Sequence, residues 1–255
     1  MGSHNSRILD QFTRQAAPFA AAAAIRNEQA LNRIVQWAGA GADDTVLDVA
    51  CGPGLLACAF AKVAKHVTGI DMTPAMLEQA HKTQQEQGLK NVSWLPGDVY
   101  SLPFPQAQFS IVSSRFVFHH LQDSLAAVKE MKRVCKPGGK IVVAVMAPQP
   151  ARAAALNTAE LLRGPSHVRA MSEDELRSLF DQAGLATPQI NHYRMEGELE
   201  DLLSRSFPNE GDADRLRRIY ADSIDEDTLD LNTRISEGKI FYSLPVAVLV
   251  AKKSN

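Results

Sequence analysis

Hydrophobic positions in the middle of the chain fall into two alternating patterns. Short apolar runs occupy residues 46–50, 66–71, 92–95, 109–114 and 140–146. Runs this short, bounded by turn residues, predict buried strands. Residues 55–63, 75–87 and 125–135 carry helical spacing between them. Pro74 opens the second of these helices, where its missing N–H costs nothing. Lys136-Pro137-Gly138-Gly139 ends the third. The βαβ alternation predicts a mostly parallel sheet covered by helices on both faces.

After Pro148 the pattern changes. Residues 151–163 look helical and have no strand beside them. Ser172-Glu173-Asp174-Glu175 opens another helix, with acids in its first turn, that ends near Gly184. Residues 185–194 read as a strand. Residues 196–236 read as charged and helical, with a break at 208–211. A final strand covers 241–250, and Pro245 within it predicts an edge position or a bulge. The expectation is one α/β domain with seven strands over 1–255. Its core is 41–147, its helical covers are 1–40, 148–171 and 196–239, and its final strand lies in 240–255.

The 255 residues suffice for a large core without staples. Lys plus Arg number 27 against 29 Asp plus Glu, a net charge of −2, and no basic stripe marks a nucleic-acid partner. Cys51, Cys58 and Cys135 form neither a disulfide framework nor a metal-ligand spacing, so no metal is expected and a reducing cytoplasm fits. No apolar run reaches a membrane span, and the alanine-rich stretch at 20–24 lacks a signal-peptide pattern. Met1-Gly2-Ser3-His4 reads equally as a cloning remnant or as native sequence. The acidic run 222–230 lacks the glycine of a calcium loop and reads as a solvated helix end.

Candidate chemistry sits where the strands end. The first strand runs into Ala50-Cys51-Gly52-Pro53-Gly54, a turn whose glycines let a ligand approach the backbone. Asp48 lies in that strand, Asp71 closes the second, and Asp98 follows the third. Each acid alone could serve a turn, a helix cap or a loop. Together they suit a nucleoside with a cationic tail: an acid at the second strand end takes ribose hydroxyls, and Asp48 would repel a pyrophosphate.

The segments VLDVACGPG (46–54), VTGIDMTPAML (67–77), GDVYSLPF (97–104), FSIVSSRFVFHHLQD (109–123) and VCKPGGKIVV (134–143) stand in one order. In these the chain resembles the class I S-adenosylmethionine-dependent methyltransferases, most of all the ubiquinone/menaquinone-biosynthesis type. The resemblance implies a Rossmann-like sheet and S-adenosylmethionine as cofactor, with S-adenosylhomocysteine as product. It implies that Asp48, Gly52 and Gly54 hold the methionine part, with Ala50 in place of the family's first glycine. Asp71 would take the ribose, with Met72 beside the adenine. Asp98 would take the adenine amine, and the Val99 N–H a ring nitrogen. A backbone carbonyl of Ser114 or Arg115 would meet the ammonium. Cys51, Met76, Gly97 and His120 would complete the cofactor site, closed by an N-terminal helix carrying Phe12, Gln15 and Phe19.

Acceptor groups are expected after the fourth strand and in the covers. His119 or His120 could serve as general base or pack on the cofactor. Phe19 and Phe116 are candidate acceptor contacts. The loop Gly164-Pro165-Ser166-His167-Val168-Arg169 could hold an anionic or phenolic acceptor through His167 and Arg169, or could be structural, with Arg169 paired to Glu173 or Asp174. The leading reading is methylation of a small-molecule acceptor at O, N or C. Other readings are a cofactor-dependent reaction without methyl transfer, a cofactor sensor, and a nicotinamide oxidoreductase, which Asp48 opposes. The final strand and the covers could also support a homodimer.

Overall fold

A computed structural model describes residues 4–254; Met1, Gly2 and Ser3, whose origin the sequence leaves open, lie outside the described residues. The strands are β1 (Thr45–Val49), β2 (His66–Asp71), β3 (Val92–Pro96), β4 (Phe109–Arg115), β5 (Cys135–Met146), β6 (Gln189–Glu198), β7 (Arg234–Ser236) and β8 (Lys239–Lys252). The helices are α1 (His4–Ala21), α2 (Glu28–Ala38), α3 (Leu55–Ala61), α4 (Pro74–Glu86), α5 (Ser124–Val134), α6 (Ala153–Arg163), α7 (Glu173–Gln182), α8 (Leu199–Ser204) and α9 (Asp212–Asp222).

The sheet order is β3-β2-β1-β4-β5-β8-β6, with β7 paired to β8. The first five strands are parallel, and β8 runs antiparallel to both of its long neighbours. Alternate side chains divide the central strands between two cores, as a two-residue period requires. Leu47, Val49, Val112, Ile141 and Val143 pack against Val128, Met131, Leu176 and Phe180 of α5 and α7. Val46, Ile111 and Val142 pack against Ile34 and Phe60 of α2 and α3. A third cluster joins the covers to the sheet through Leu156, Leu202, Leu216, Tyr220, Leu231 and Tyr242. Ser172 and Glu175 form a reciprocal capping box at the start of α7, where the sequence predicts that start.

Three details depart from expectation. Strand β8 lies inside the sheet, yet Pro245 costs it no ladder bond. The Pro245 carbonyl accepts from the Ala147 N–H at 3.1 Å, so its ring nitrogen faces the same side, where β5 has already ended at Met146. The proline is thus at a local edge within an interior strand. The charged segment does not stay helical to residue 236, because β7 turns back through Glu237 (φ 52°) and Gly238 (φ 72°) into β8. Two left-handed residues make the tight turn whose twist suits a hairpin, and Glu-Gly is a weak signal for it. The acidic run is not wholly solvated either. Asp230 is buried, accepts from the Gln149 N–H at 2.8 Å and pairs with Arg194 at 3.5 Å.

Among the described residues no helix is long and apolar enough to cross a membrane. The three cysteines are free and buried. Strand order reverses direction at β1 and β4, so a crevice opens at the carboxyl ends of these strands.

Candidate active site

At the end of β1 the chain turns through left-handed Ala50 (φ 53°) and Gly52 (φ 53°). This conformation is cheap for glycine and costs alanine roughly 1–2 kcal/mol. Asp71 holds the turn in place. Its Oδ2 accepts from the Gly52 N–H and its Oδ1 from the Thr73 N–H, both at 2.8 Å, so one carboxylate ties the end of β1 to the start of α4. Asp48 lies beneath, accepting from Ser113 Oγ at 2.8 Å. Burial pushes the Asp48 carboxyl up to about 7, against the Ser113 hydrogen bond and the nearby Arg115. Burial also raises Asp71, against the N–H groups of Thr73 and Gly52.

All three predicted acids line one cavity, with a volume of about 1010 Å³ including its open mouth. Ala50, Cys51, Gly52, Met72, Met76, Gly97 and Val99 line it too. Gly54 and Ser114 do not. A Cβ on Gly54 (φ 75°) would stand 2.5 Å from the Trp94 ring, so this glycine serves the packing of α3. Ser114 is fully buried and donates through Oγ to the Val49 carbonyl at 2.8 Å. Arg115 does reach the cavity. Its guanidinium lies 4.5 Å from the Phe116 ring and donates from Nη1 to the Ile25 carbonyl, while Nε and Nη2 are buried without a partner.

Helix α1 roofs this cavity with His4, Ile8 and Phe12. It is pinned by two buried glutamines: Gln15 donates to the Ser206 carbonyl and Gln11 accepts from the Ser166 N–H. Behind the roof lies a second cavity of about 660 Å³ including its open mouth, which shares Phe12, Phe19, Ile25, Phe116 and His120 with the first. His120 Nδ1 lies 3.1 Å from the Ser166 carbonyl and 3.0 Å from Ser166 Oγ, so Ser166 fixes the ring through this nitrogen. Burial lowers His120 to about 3 and holds His119 well below the usual histidine range. His119 lines the second cavity only, and its Nδ1 has no partner.

The loop residues 164–169 after α6 line neither cavity. His167 is buried behind the other two histidines, with Nε2 2.7 Å from Asn157 Oδ1. Arg169 is exposed and paired with Glu175, the next acid along from the expected Glu173 and Asp174. The loop contributes backbone instead, through the Ser166 carbonyl and N–H.

The family model described as a methyltransferase domain matches residues 47–143. The uncharacterized methyltransferase YcgJ of Bacillus subtilis is 34% identical over 177 residues, covering 69% of this chain and 70% of that protein. Its crystal structure matches with a TM-score of 0.80 at 27% identity, covering 89% of this chain and 99% of that one. The chain belongs to the S-adenosylmethionine-dependent methyltransferases. The uncharacterized protein YafE of Escherichia coli is 35% identical over 159 residues, 62% of this chain and 76% of that protein. A ubiquinone/menaquinone biosynthesis C-methyltransferase of Bdellovibrio bacteriovorus is 38% identical over 113 residues, covering 44% of this chain and 48% of that protein.

The first cavity of this methyltransferase fits its cofactor. Three acids and a close-approach turn suit a cationic nucleoside free of phosphate, and the unpartnered Arg115 N–H groups suit a carboxylate. Among the described residues no cluster of three His, Cys, Asp or Glu is placed to hold a metal. The second cavity uses residues that sequence reading passed over: Glu160, Arg163, Arg205, Tyr220 and Tyr242. The i,i+3 spacing of Glu160 and Arg163 on an apolar helix was a usable signal. Arg205, Tyr220 and Tyr242 come from separate elements, and only the tertiary fold brings them together.

Proposed function

We propose that this methyltransferase transfers a methyl group to a small-molecule acceptor enclosed in the second cavity. The observation that carries this reading is the shared wall: Phe12, Phe19, Ile25, Phe116 and His120 face both cavities. An acceptor in the second space therefore abuts a cofactor in the first, screened from water by α1 and the covers.

When bound, S-adenosylmethionine supplies a methyl carbon that an acceptor lone pair displaces from its sulfonium, leaving S-adenosylhomocysteine. In this reading Asp71 takes the ribose hydroxyls, Asp98 the adenine amine and the Val99 N–H a ring nitrogen. Met72 and Met76 flank the base. Asp48 faces the ammonium, and Arg115 meets the carboxylate with its side chain. His120, held near 3, is a weak base. Its ring positions the acceptor instead of removing a proton. His119 lines the acceptor space, and His167 supports the pair from behind. The likeness to the ubiquinone/menaquinone-type enzyme spans less than half of this chain, so its acceptor is not carried over. The three free cysteines support a reducing cytoplasm, and the near-neutral charge supports a small acceptor over nucleic acid.

Calorimetric titration with S-adenosylmethionine, S-adenosylhomocysteine and NAD tests the first half of the reading. Binding of the first two alone is expected. Incubation with methyl-deuterated S-adenosylmethionine and a metabolite extract, read by mass spectrometry, tests the second. A labelled small molecule is expected, and label found only on macromolecules would overturn the enclosed-acceptor reading.

A further inference from the structure

The second cavity is lined by both polar and apolar side chains. Met146, Met195, Leu202 and Leu244 form apolar walls beside the aromatic residues shared with the cofactor cavity. Arg205, Tyr220 and Tyr242 line the second cavity and not the first.

The polar part of the lining is rich in donors. Arg205 is 6% exposed, and its Nη2 is buried without a partner. Its Nε reaches Asp201 at 3.2 Å, but that carboxylate is 51% exposed and largely solvated. A buried guanidinium with an open N–H carries a desolvation cost that only an anion offsets well. Tyr220 and Tyr242 meet edge to face with ring centroids 5.8 Å apart. Burial pushes both phenols above their usual range, so they remain protonated donors. The neighbouring acceptors are largely taken. Both Glu160 oxygens receive Arg163, which donates from Nε and Nη2. Gln11 Oε1 receives the Ser166 N–H. The Gln15 amide carbonyl is the acceptor that stands against the three donors.

Building on the small-acceptor reading, we infer that the acceptor is an apolar molecule bearing a carboxylate, anchored by Arg205, Tyr220 and Tyr242, which line the second cavity but not the cofactor cavity. The carboxylate is the handle, and the methylated atom lies elsewhere on the molecule. A ligand of this kind supplies the missing anion to Arg205 and buries its body among methionine, leucine and phenylalanine side chains. Arg163 does not compete for the handle, because Glu160 already neutralises it.

The test uses the full chain loaded with S-adenosylhomocysteine. Phenylacetate, cinnamate, 4-hydroxybenzoate and octanoate are titrated against their neutral primary amides, with thermal shift and calorimetry as readouts. At least one acid is expected to bind at least about tenfold more tightly than its amide, the scale of one charge-assisted hydrogen bond. Arg205→Gln is expected to abolish that preference and leave S-adenosylhomocysteine affinity unchanged, and Arg205→Lys to keep part of it. If Arg205→Gln does not fold, Tyr242→Phe keeps the ring and removes one donor, and is expected to cost severalfold in acid affinity alone. Equal binding of acids and amides, no binding by any acid, or an acid preference surviving both variants would overturn the inference. None of these readouts requires methyl transfer. A failure of turnover would count against the proposed function and leave the result on the carboxylate standing.

Discussion

Ser113 Oγ donates to Asp48 Oδ1 across 2.8 Å, and the two residues are register partners on β4 and β1. The contact fixes a buried acid under the cofactor cavity with its carboxyl raised to about 7. Burial opposes ionisation, so the empty protein favours the protonated acid. Its stability is expected to fall as pH rises from the usual carboxylate range towards 7.

Cofactor binding should show the opposite sign. A cationic ammonium beside Asp48 favours the ionised form, so affinity for S-adenosylmethionine is expected to rise with pH up to about 7 and then level off. Proton release should accompany binding below that point. Calorimetry at about pH 5.5 and about pH 7.5, in buffers of different ionisation enthalpy, measures both quantities. Asp48→Asn should flatten the profile.

Asp71→Ala should weaken cofactor affinity by about 1.5–3 kcal/mol, the worth of hydrogen bonds to a charged group. The same carboxylate accepts the Gly52 and Thr73 N–H groups, so the alanine variant also loosens the turn. Asp71→Asn keeps the shape, and its amide oxygen can still take one of the two N–H groups. It should therefore fall between wild type and alanine in a titration with S-adenosylhomocysteine.

Gly54→Ala should destabilise the fold without removing a cofactor contact. The new Cβ would meet Trp94 at 2.5 Å and Ala80 at 2.9 Å from a left-handed backbone. Overpacking costs about 1–3 kcal/mol and left-handed alanine about 1–2 more. Thermal unfolding should show a drop of roughly 2–4 °C per kcal/mol.

Glu160→Gln should be costly for a different reason. Arg163 and Glu160 are both largely buried, and they meet at 2.5 Å. Removing the acid leaves a buried charge unpaired, a loss of about 3–5 kcal/mol in urea denaturation. Burial raises the Glu160 carboxyl, but Arg163 outweighs it and holds the group below its usual range. The contribution of the pair should therefore be present at neutral pH and vanish in acid.

The cofactor half was legible in the sequence because its signals are local. Strands buried on both faces read as short apolar runs, and the turn after Val49 announces itself by its glycines. Even there, Gly54 and Ser114 show the limit: a motif names residues, and only the fold decides which face the ligand and which face a neighbouring strand or ring. The second cavity was mostly illegible. Arg205 caps the end of α8, Tyr220 lies on α9 and Tyr242 on β8, and no spacing along the chain relates them. Arg169 carried the expected charge on the expected loop but points into solvent, and the buried arginines stand elsewhere.

Strand β8 is longer than the strand it shares with the core. Its second half, from Val246 onward, pairs with β5, while its first half runs past the end of that strand and carries Tyr242 and Leu244 into the second cavity. The enzyme therefore has a modular seam. Chain on the near side of Val246 can be rebuilt, together with the covers resting on it, while the machinery around Asp48 and Asp71 stays untouched. In the proposed reading, part of acceptor choice is an attachment on a fixed engine, and the overhang is its mount.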